Sequence, residues 1–203
     1  MKVCNIIVMS KGGVGKSFTA WVLAQWAKDK NHDMYCADTD PGNPTFAGYQ
    51  ALNVEYIDIA NDEMQINRSR FDDLIDNIAG HDGFSVIDTG STTFFPLMSY
   101  ISEARTLDAL KNEGVRVILH VPIVGGSATK ETMAAFAKVL ESTDVEVVVW
   151  LNGKYGAVEL NGKPITETQI YKKYETRVLG LVNVKTRAED TFGEDFSTLL
   201  GNK

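Results

Sequence analysis

Apolar positions along this chain follow two rhythms. Residues 3–9, VCNIIVM, are a nearly continuous apolar run ending at a glycine-rich loop, the signature of a strand buried on both faces. Residues 17–30 change period: Ala20, Leu23, Ala24 and Ala27 recur at i, i+3, i+4 and i+7 and predict a helix. Further buried strands are expected at 34–38 (MYCAD), 83–89 (GFSVIDT), 115–122 (VRVILHVP), 145–152 (VEVVVWLN) and 177–184 (RVLGLVNV), the last followed by a polar helix to residue 203. Between the fourth and fifth of these six strands, Met133, Phe136, Ala137 and Leu140 mark one face of a helix. Apolar strands spaced by helices predict an α/β fold, a mostly parallel sheet with helices on both faces. One segment departs from this. In VELNGKPI (158–165) an Asn-Gly pair between short arms predicts a β-hairpin. Without repeats, low-complexity tracts or linkers, residues 1–203 read as a single domain.

Composition narrows the class. A chain 44% hydrophobic and 23% charged reads as a soluble globular protein. No apolar run reaches the length of a membrane span, and the apolar stretch in MKVCNIIVMSKGG is short and runs straight into the glycine loop, unlike a secretory leader. Cys4 and Cys36 sit in strand-like runs and read as buried, reduced thiols, pointing to the cytoplasm. The net charge of −7 argues against a protein coated in basic residues, but the charge is uneven. Seven basic residues face three acidic ones between Lys154 and Arg187, either a solvated helix face or a patch for a polyanion.

The chemistry concentrates in SKGGVGKSF, residues 10–18. Gly15, Lys16 and Ser17 complete the second half of the phosphate-loop pattern G-x-x-x-x-G-K-[ST], but Ser10 stands at the opening glycine and Lys11 has no place in that pattern. A strand, a glycine turn and a helix N-terminus together form an anion site. Gly12, Gly13, Val14, Gly15 and Phe18 supply backbone N–H groups, and the helix adds the positive end of its dipole. Lys16 is placed for the β- and γ-phosphates and Ser17 for Mg²⁺. A second Mg²⁺-facing group is then expected at a neighbouring strand end, and Asp88 of FSVIDTG fits, with Gly90 free to move. Asp38 and Asp40 of CADTDPGNPTF crowd two carboxylates at a third strand end, although alone they would read as an Asp-Pro turn.

KGGVGKS, DTDP and VIDTG, in this order and spacing, resemble the ParA/MinD family of deviant Walker ATPases. The resemblance implies that Lys11 crosses the interface of an ATP-bound homodimer to the partner's nucleotide, and that Asp40 orients the attacking water. It further implies that Asp38 supports the metal and that Asn152 recognises adenine. The guanine-reading N-K-x-D is missing, because Gly153 follows Asn152 and Tyr155 stands where Asp would be, so ATP is expected over GTP. Phe18 and Gly42 depart from the family's second hydroxyl residue and its glutamine. DTDPGNPTFAGYQAL more specifically resembles small ParA-like proteins, TraL-type, of plasmid conjugation and stability modules.

What this implies is a slow, Mg²⁺-dependent ATPase that dimerises on ATP and acts as a switch in plasmid partition or conjugal transfer. A stimulating protein partner is expected, as is non-specific DNA contact through Lys172, Lys173, Arg177, Lys185 and Arg187. Three other readings compete. A MinD-like membrane-cycling ATPase would need a basic amphipathic C-terminal helix, where this sequence has DFSTLLGNK. A metabolic enzyme of the dethiobiotin synthetase or cobyrinate amidation type would usually lack KGG. A binding module without hydrolysis would not need Asp40 and Asp88.

Overall fold

The computed structural model describes residues 1–61, 63 and 65–185. Arg187 and the helix expected after residue 184 lie outside the described residues. The chain runs β1 (Lys2–Ile7), α1 (Lys16–Asp29), β2 (Met34–Thr39), β3 (Glu55–Tyr56), α2 (Arg68–Gly80), β4 (Phe84–Thr89), α3 (Phe94–Ala104), α4 (Thr106–Asn112) and β5 (Val115–Val124). It continues through α5 (Thr129–Ser142), β6 (Glu146–Asn152), β7 (Glu159–Leu160), β8 (Lys163–Pro164), α6 (Gln169–Tyr174) and β9 (Val178–Val184). Seven strands form one sheet in the order β3-β2-β4-β1-β5-β6-β9, and every neighbouring pair is parallel. All the strand C-termini therefore open on one edge. The chain steps away from β1 to β2, then returns to place β4 and β5 on its two sides, which makes β1 the switch point where such sheets bind ligands.

Pleating sorts the strand residues between two layers. Ile6, Ala37, Ile87, Leu119 and Val149 face α2, α3, α4 and α5, whose buried positions include Phe71, Leu74, Leu97, Leu110 and Phe136. Ile7, Cys36 and Val86 face the opposite way, onto Ala20 and Ala24 of α1 and onto Phe46 and Leu52 in two short 3₁₀ turns. Both cysteines are buried and free. The hairpin β7–β8 is antiparallel, with Asn161 (φ 54°) and Gly162 (φ 73°) in the left-handed region that its tight turn requires.

One polar network crosses the otherwise apolar centre. Trp150 Nε1 donates to His120 Nδ1 at 3.0 Å, His120 Nε2 meets Asn5 Oδ1 at 2.9 Å, and Asn5 Nδ2 donates to the Ser85 carbonyl at 3.2 Å. An indole N–H can only donate, so Nδ1 accepts and the proton sits on Nε2. This ties β6, β5, β1 and β4 together. Burial pushes the His120 imidazole down from 6.5 to about 4. The unfolded chain therefore takes up the proton first, so the stability tied to His120 is complete above about pH 6.5 and is lost as the pH falls toward 4.

Chemical denaturation at two pH values measures this. Between pH 7 and 5 the parent should lose about 2 kcal/mol more stability than His120→Gln, which cannot titrate. Parallel losses in the two proteins would show that the network does not hold the imidazole neutral.

Candidate active site at the strand ends

β1 leaves the sheet at Ile7 and its chain curls back through residues 8–15 before α1 begins. Gly13 (φ 73°) and Gly15 (φ 99°) take left-handed conformations that make this curl possible. Gly15 is the N-cap of α1; no side chain caps that end and its first turn carries no acidic residue. An N-terminus of this kind, with its dipole's positive end open, favours an anion. Lys16, the first residue of α1, is buried at 7% exposure. Burial lowers its ammonium's pKa, and the charges of Asp88, Asp40 and Asp38 work against that fall.

Asp88 is brought here by register. It pairs with Ile7 on one side and Asp38 on the other, so the ends of β1, β4 and β2 lie level. Two threonines fix these ends: Thr89 Oγ1 donates to the Ile7 carbonyl at 2.6 Å and Thr39 Oγ1 to the Asp88 carbonyl at 2.9 Å. Asp88 is buried, and among the described residues neither carboxylate oxygen accepts a hydrogen bond. Burial pushes its carboxyl up to about 7. The nearby Ser17 hydroxyl, close but outside hydrogen-bond geometry, draws it down, as does Lys16, while Asp38 and Asp40 add to the rise. A buried carboxylate normally has donors around it. This one has a half-buried hydroxyl and a lysine beside it.

That orphan fits a divalent cation. Among the described residues no three His, Cys, Asp or Glu side chains converge as a protein-only metal site. One carboxylate with one hydroxyl is the donor set from which Mg²⁺ is completed by phosphate oxygens and water.

The other expected residues fall around this centre in different states. Asp38 is fully buried, its Oδ1 accepting the Asp40 N–H at 3.0 Å and its Oδ2 the Ala47 N–H at 2.9 Å. Those bonds make it the anchor of the loop after β2. Asp40 accepts the N–H groups of Gly42 (2.9 Å) and Asn43 (3.1 Å) on Oδ1, and a Cβ on Gly90 would come within 3.0 Å of the same oxygen. The loops after β2 and β4 thus meet at Asp40 and Gly90. The Phe18 ring stacks on Trp21, with centroids 6.3 Å apart, so its side chain packs along the helix. Lys11 turns toward α5, where its Nζ pairs with Glu131 Oε2 at 3.1 Å. Asn152, ending β6, donates from Nδ2 to the Val14 carbonyl at 3.0 Å and accepts the Lys154 N–H on Oδ1 at 3.0 Å.

Glu131, Thr39 and Thr89 were not foreseen as site residues, and no spacing in the sequence marks them. Arg177 departs from its expected place in a basic patch. Its guanidinium donates to the carbonyls of Leu140 (2.8 Å) and Val145 (3.2 Å) and to Thr143 Oγ1 (3.2 Å), capping the C-terminus of α5. Lys172, Lys173 and Lys185 are exposed, with Lys173 lying over the Tyr174 ring.

The profile of CbiA, the CobQ/CobB/MinD/ParA nucleotide binding domain, matches residues 6–194. Two Escherichia coli proteins named TraL are similar along nearly the whole chain. One is 37% identical over 203 residues, spanning 98% of this chain and 83% of that protein. The other is 34% identical over 205 residues, spanning 100% and 85%. A crystal structure of a plasmid partition protein from Borrelia burgdorferi, from an iodide soak, has a TM-score of 0.50 at 16% identity and covers 98% of this chain and 97% of that one. At that identity the likeness is one of fold.

An unpartnered buried carboxylate destabilises the ligand-free protein. The folded Asp88 carboxyl lies above its ordinary value of 3.8, so the stability it contributes is full below pH 3.8 and is lost as the pH rises through about 7. Asp88→Asn should therefore be more stable than the parent at pH 8 without ligand, by about 2–4 kcal/mol, with the gap closing toward pH 4. Equal denaturation midpoints at pH 8 would mean that the carboxylate has a partner.

Proposed function

The chain belongs to the CobQ/CobB/MinD/ParA nucleotide-binding family, and on that premise we propose that it is a Mg²⁺-dependent ATPase that closes into a homodimer on ATP. In this reading the cycle switches a partner assembly in plasmid partition or conjugal transfer. The observation that carries the proposal is the bare, buried Asp88 carboxylate beside Ser17 and the buried Lys16, at the uncapped N-terminus of α1.

The roles follow from position. The N–H groups of residues 12–18 take the phosphate oxygens, and Lys16 offsets their charge. Ser17 and Asp88 hold Mg²⁺, with Asp38 bracing the loop behind them. Mg²⁺, when bound, neutralises charge that develops on the β- and γ-phosphate oxygens. Asp40, held by two backbone donors, orients the attacking water. Among the described residues, Lys11 is half-exposed and pairs with Glu131 across the surface, a pairing worth at most about 1 kcal/mol. It can therefore leave Glu131 for the nucleotide of a second copy. Similarity to the TraL proteins supports the plasmid setting, and a partner protein then accelerates a slow basal rate.

Two lysines separate binding from assembly. Lys16→Ala should lose ATP binding in calorimetry, because the phosphates lose their main cation. Lys11→Ala should still bind ATP yet sediment as a monomer with a non-hydrolysable ATP analogue. A Lys11→Ala protein that dimerises like the parent would remove the cross-interface role.

Asp40→Asn keeps an acceptor for the Gly42 and Asn43 N–H groups while removing the charge. Turnover should fall by about 10²–10⁴-fold, the contribution of a water-positioning group, with the ATP-bound dimer accumulating. Unchanged turnover would place the water elsewhere.

A further inference from the structure

Asn152 does something its expected role as an adenine reader does not require. Its side chain is engaged at both ends by the chain itself. The Nδ2 group donates to the Val14 carbonyl, the Oδ1 atom accepts from Lys154 N–H, and the backbone carbonyl accepts from Gly125 N–H at 3.2 Å. The amide orientation is fixed by these partners, since only a donor suits the Val14 carbonyl and only an acceptor suits Lys154 N–H. One residue therefore joins three loops: the phosphate loop, the loop from β5 to α5, and the turn after β6.

The bond to Val14 falls where it matters most. A loop that aims its N–H groups inward at an anion must turn carbonyls outward, and each outward carbonyl needs a donor. Val14 precedes Gly15, whose φ of 99° sets the entry to α1, and a Cβ on Gly15 would lie 3.3 Å from Asn152 Nδ2. The amide thus packs against the loop at its sharpest point. At the loop's other end, Lys11 is held by Glu131, on the helix that follows the β5 exit. That exit is itself pressed onto the turn after β6: neither Gly125 nor Gly126 could carry a side-chain carbon without striking the backbone of Tyr155 or Gly156. Both ends of the phosphate loop are referred to the same pair of loops.

We propose that Asn152 is a positioning residue of the phosphate loop, ordering Val14 and Gly15 for any polyphosphate whatever base it carries. The inference rests on the reading of residues 10–18 as a polyphosphate site. It deepens that reading by assigning Asn152 to the loop rather than to the base.

Asn152→Ser tests it, because serine still caps the turn at Lys154 but cannot reach Val14. Affinities of the full-length chain for ATP, GTP and inorganic tripolyphosphate, each with Mg²⁺, are measured at a temperature where circular dichroism shows the variant folded. All three should weaken together by roughly three- to tenfold, the range of one hydrogen bond, leaving the ATP-to-GTP ratio unchanged. Asn152→Ala serves as the second variant and should behave alike. Loss confined to ATP, with tripolyphosphate binding intact, would return Asn152 to base recognition and overturn the proposal. So would parental affinity for all three ligands. A parent that binds no tripolyphosphate, or a Lys16→Ala control that binds it normally, would instead strike the phosphate-site reading itself, and this proposal with it.

Discussion

The structure turns on a buried carboxylate whose oxygens accept no hydrogen bond among the described residues. Asp88 lies buried at the end of β4, level with the end of β1, with Lys16 and the Ser17 hydroxyl beside it. Water would solvate such a group far better than this site does, so the folded chain keeps it there at a cost in stability. Parallel topology makes the arrangement possible, since all seven strand C-termini open on one edge and β1 is the switch point. Helix polarity completes it: the start of α1 brings the positive end of its dipole and a buried cation to the same place.

Around that centre the loops are held by bonds within the chain rather than left slack. Asp38 anchors the β2 exit through two backbone donors, Asp40 organises the next turn, and Asn152 holds Val14. The Asp38 and Asn152 contacts are half-buried and the Asp40 turn is exposed, and together they order the backbone before any ligand arrives. The Lys11–Glu131 pair is different in kind, exposed on both sides and weak. On the proposed reading, in which Lys11 changes partners, so weak a hold is what is required.

Much of this was legible in the sequence, and the illegible parts have physical reasons. Five of the six long strands announced themselves because they are largely buried and read as apolar runs; β9 was found from its apolar residues too, but it is an edge strand, exposed at Leu179 and Val182 rather than buried as expected. The hairpin announced itself because Asn161 and Gly162 are residues that tolerate positive φ. Helices α2, α3 and α4 were not read from the sequence. In α2 the buried Phe71, Leu74 and Ile78 are diluted by acidic residues. In α3, Pro96 follows two phenylalanines and blurs the period, and α3 parts from α4 at Arg105, whose φ of 50° no glycine advertises. In the site, residues close together in sequence were found readily. Contacts across long separations were not: Lys11 with Glu131, Asn152 with Val14, and Arg177 with the end of α5 all depend on how distant strands align.

The central claim, that Asp88 waits for a cation brought in by a nucleotide, is tested most directly at its own carboxyl carbon. In protein carrying ¹³C-labelled aspartate, assigned by comparison with Asp88→Asn, the Asp88 resonance is followed against pH alone and then with Mg²⁺ and a non-hydrolysable ATP analogue. Without ligand it should titrate near 7, as burial dictates. With both present it should fall to or below the ordinary carboxylate range, because a bound cation favours the charged form. An Asp88 that titrates near 7 in both conditions, while the analogue is demonstrably bound, would contradict the claim.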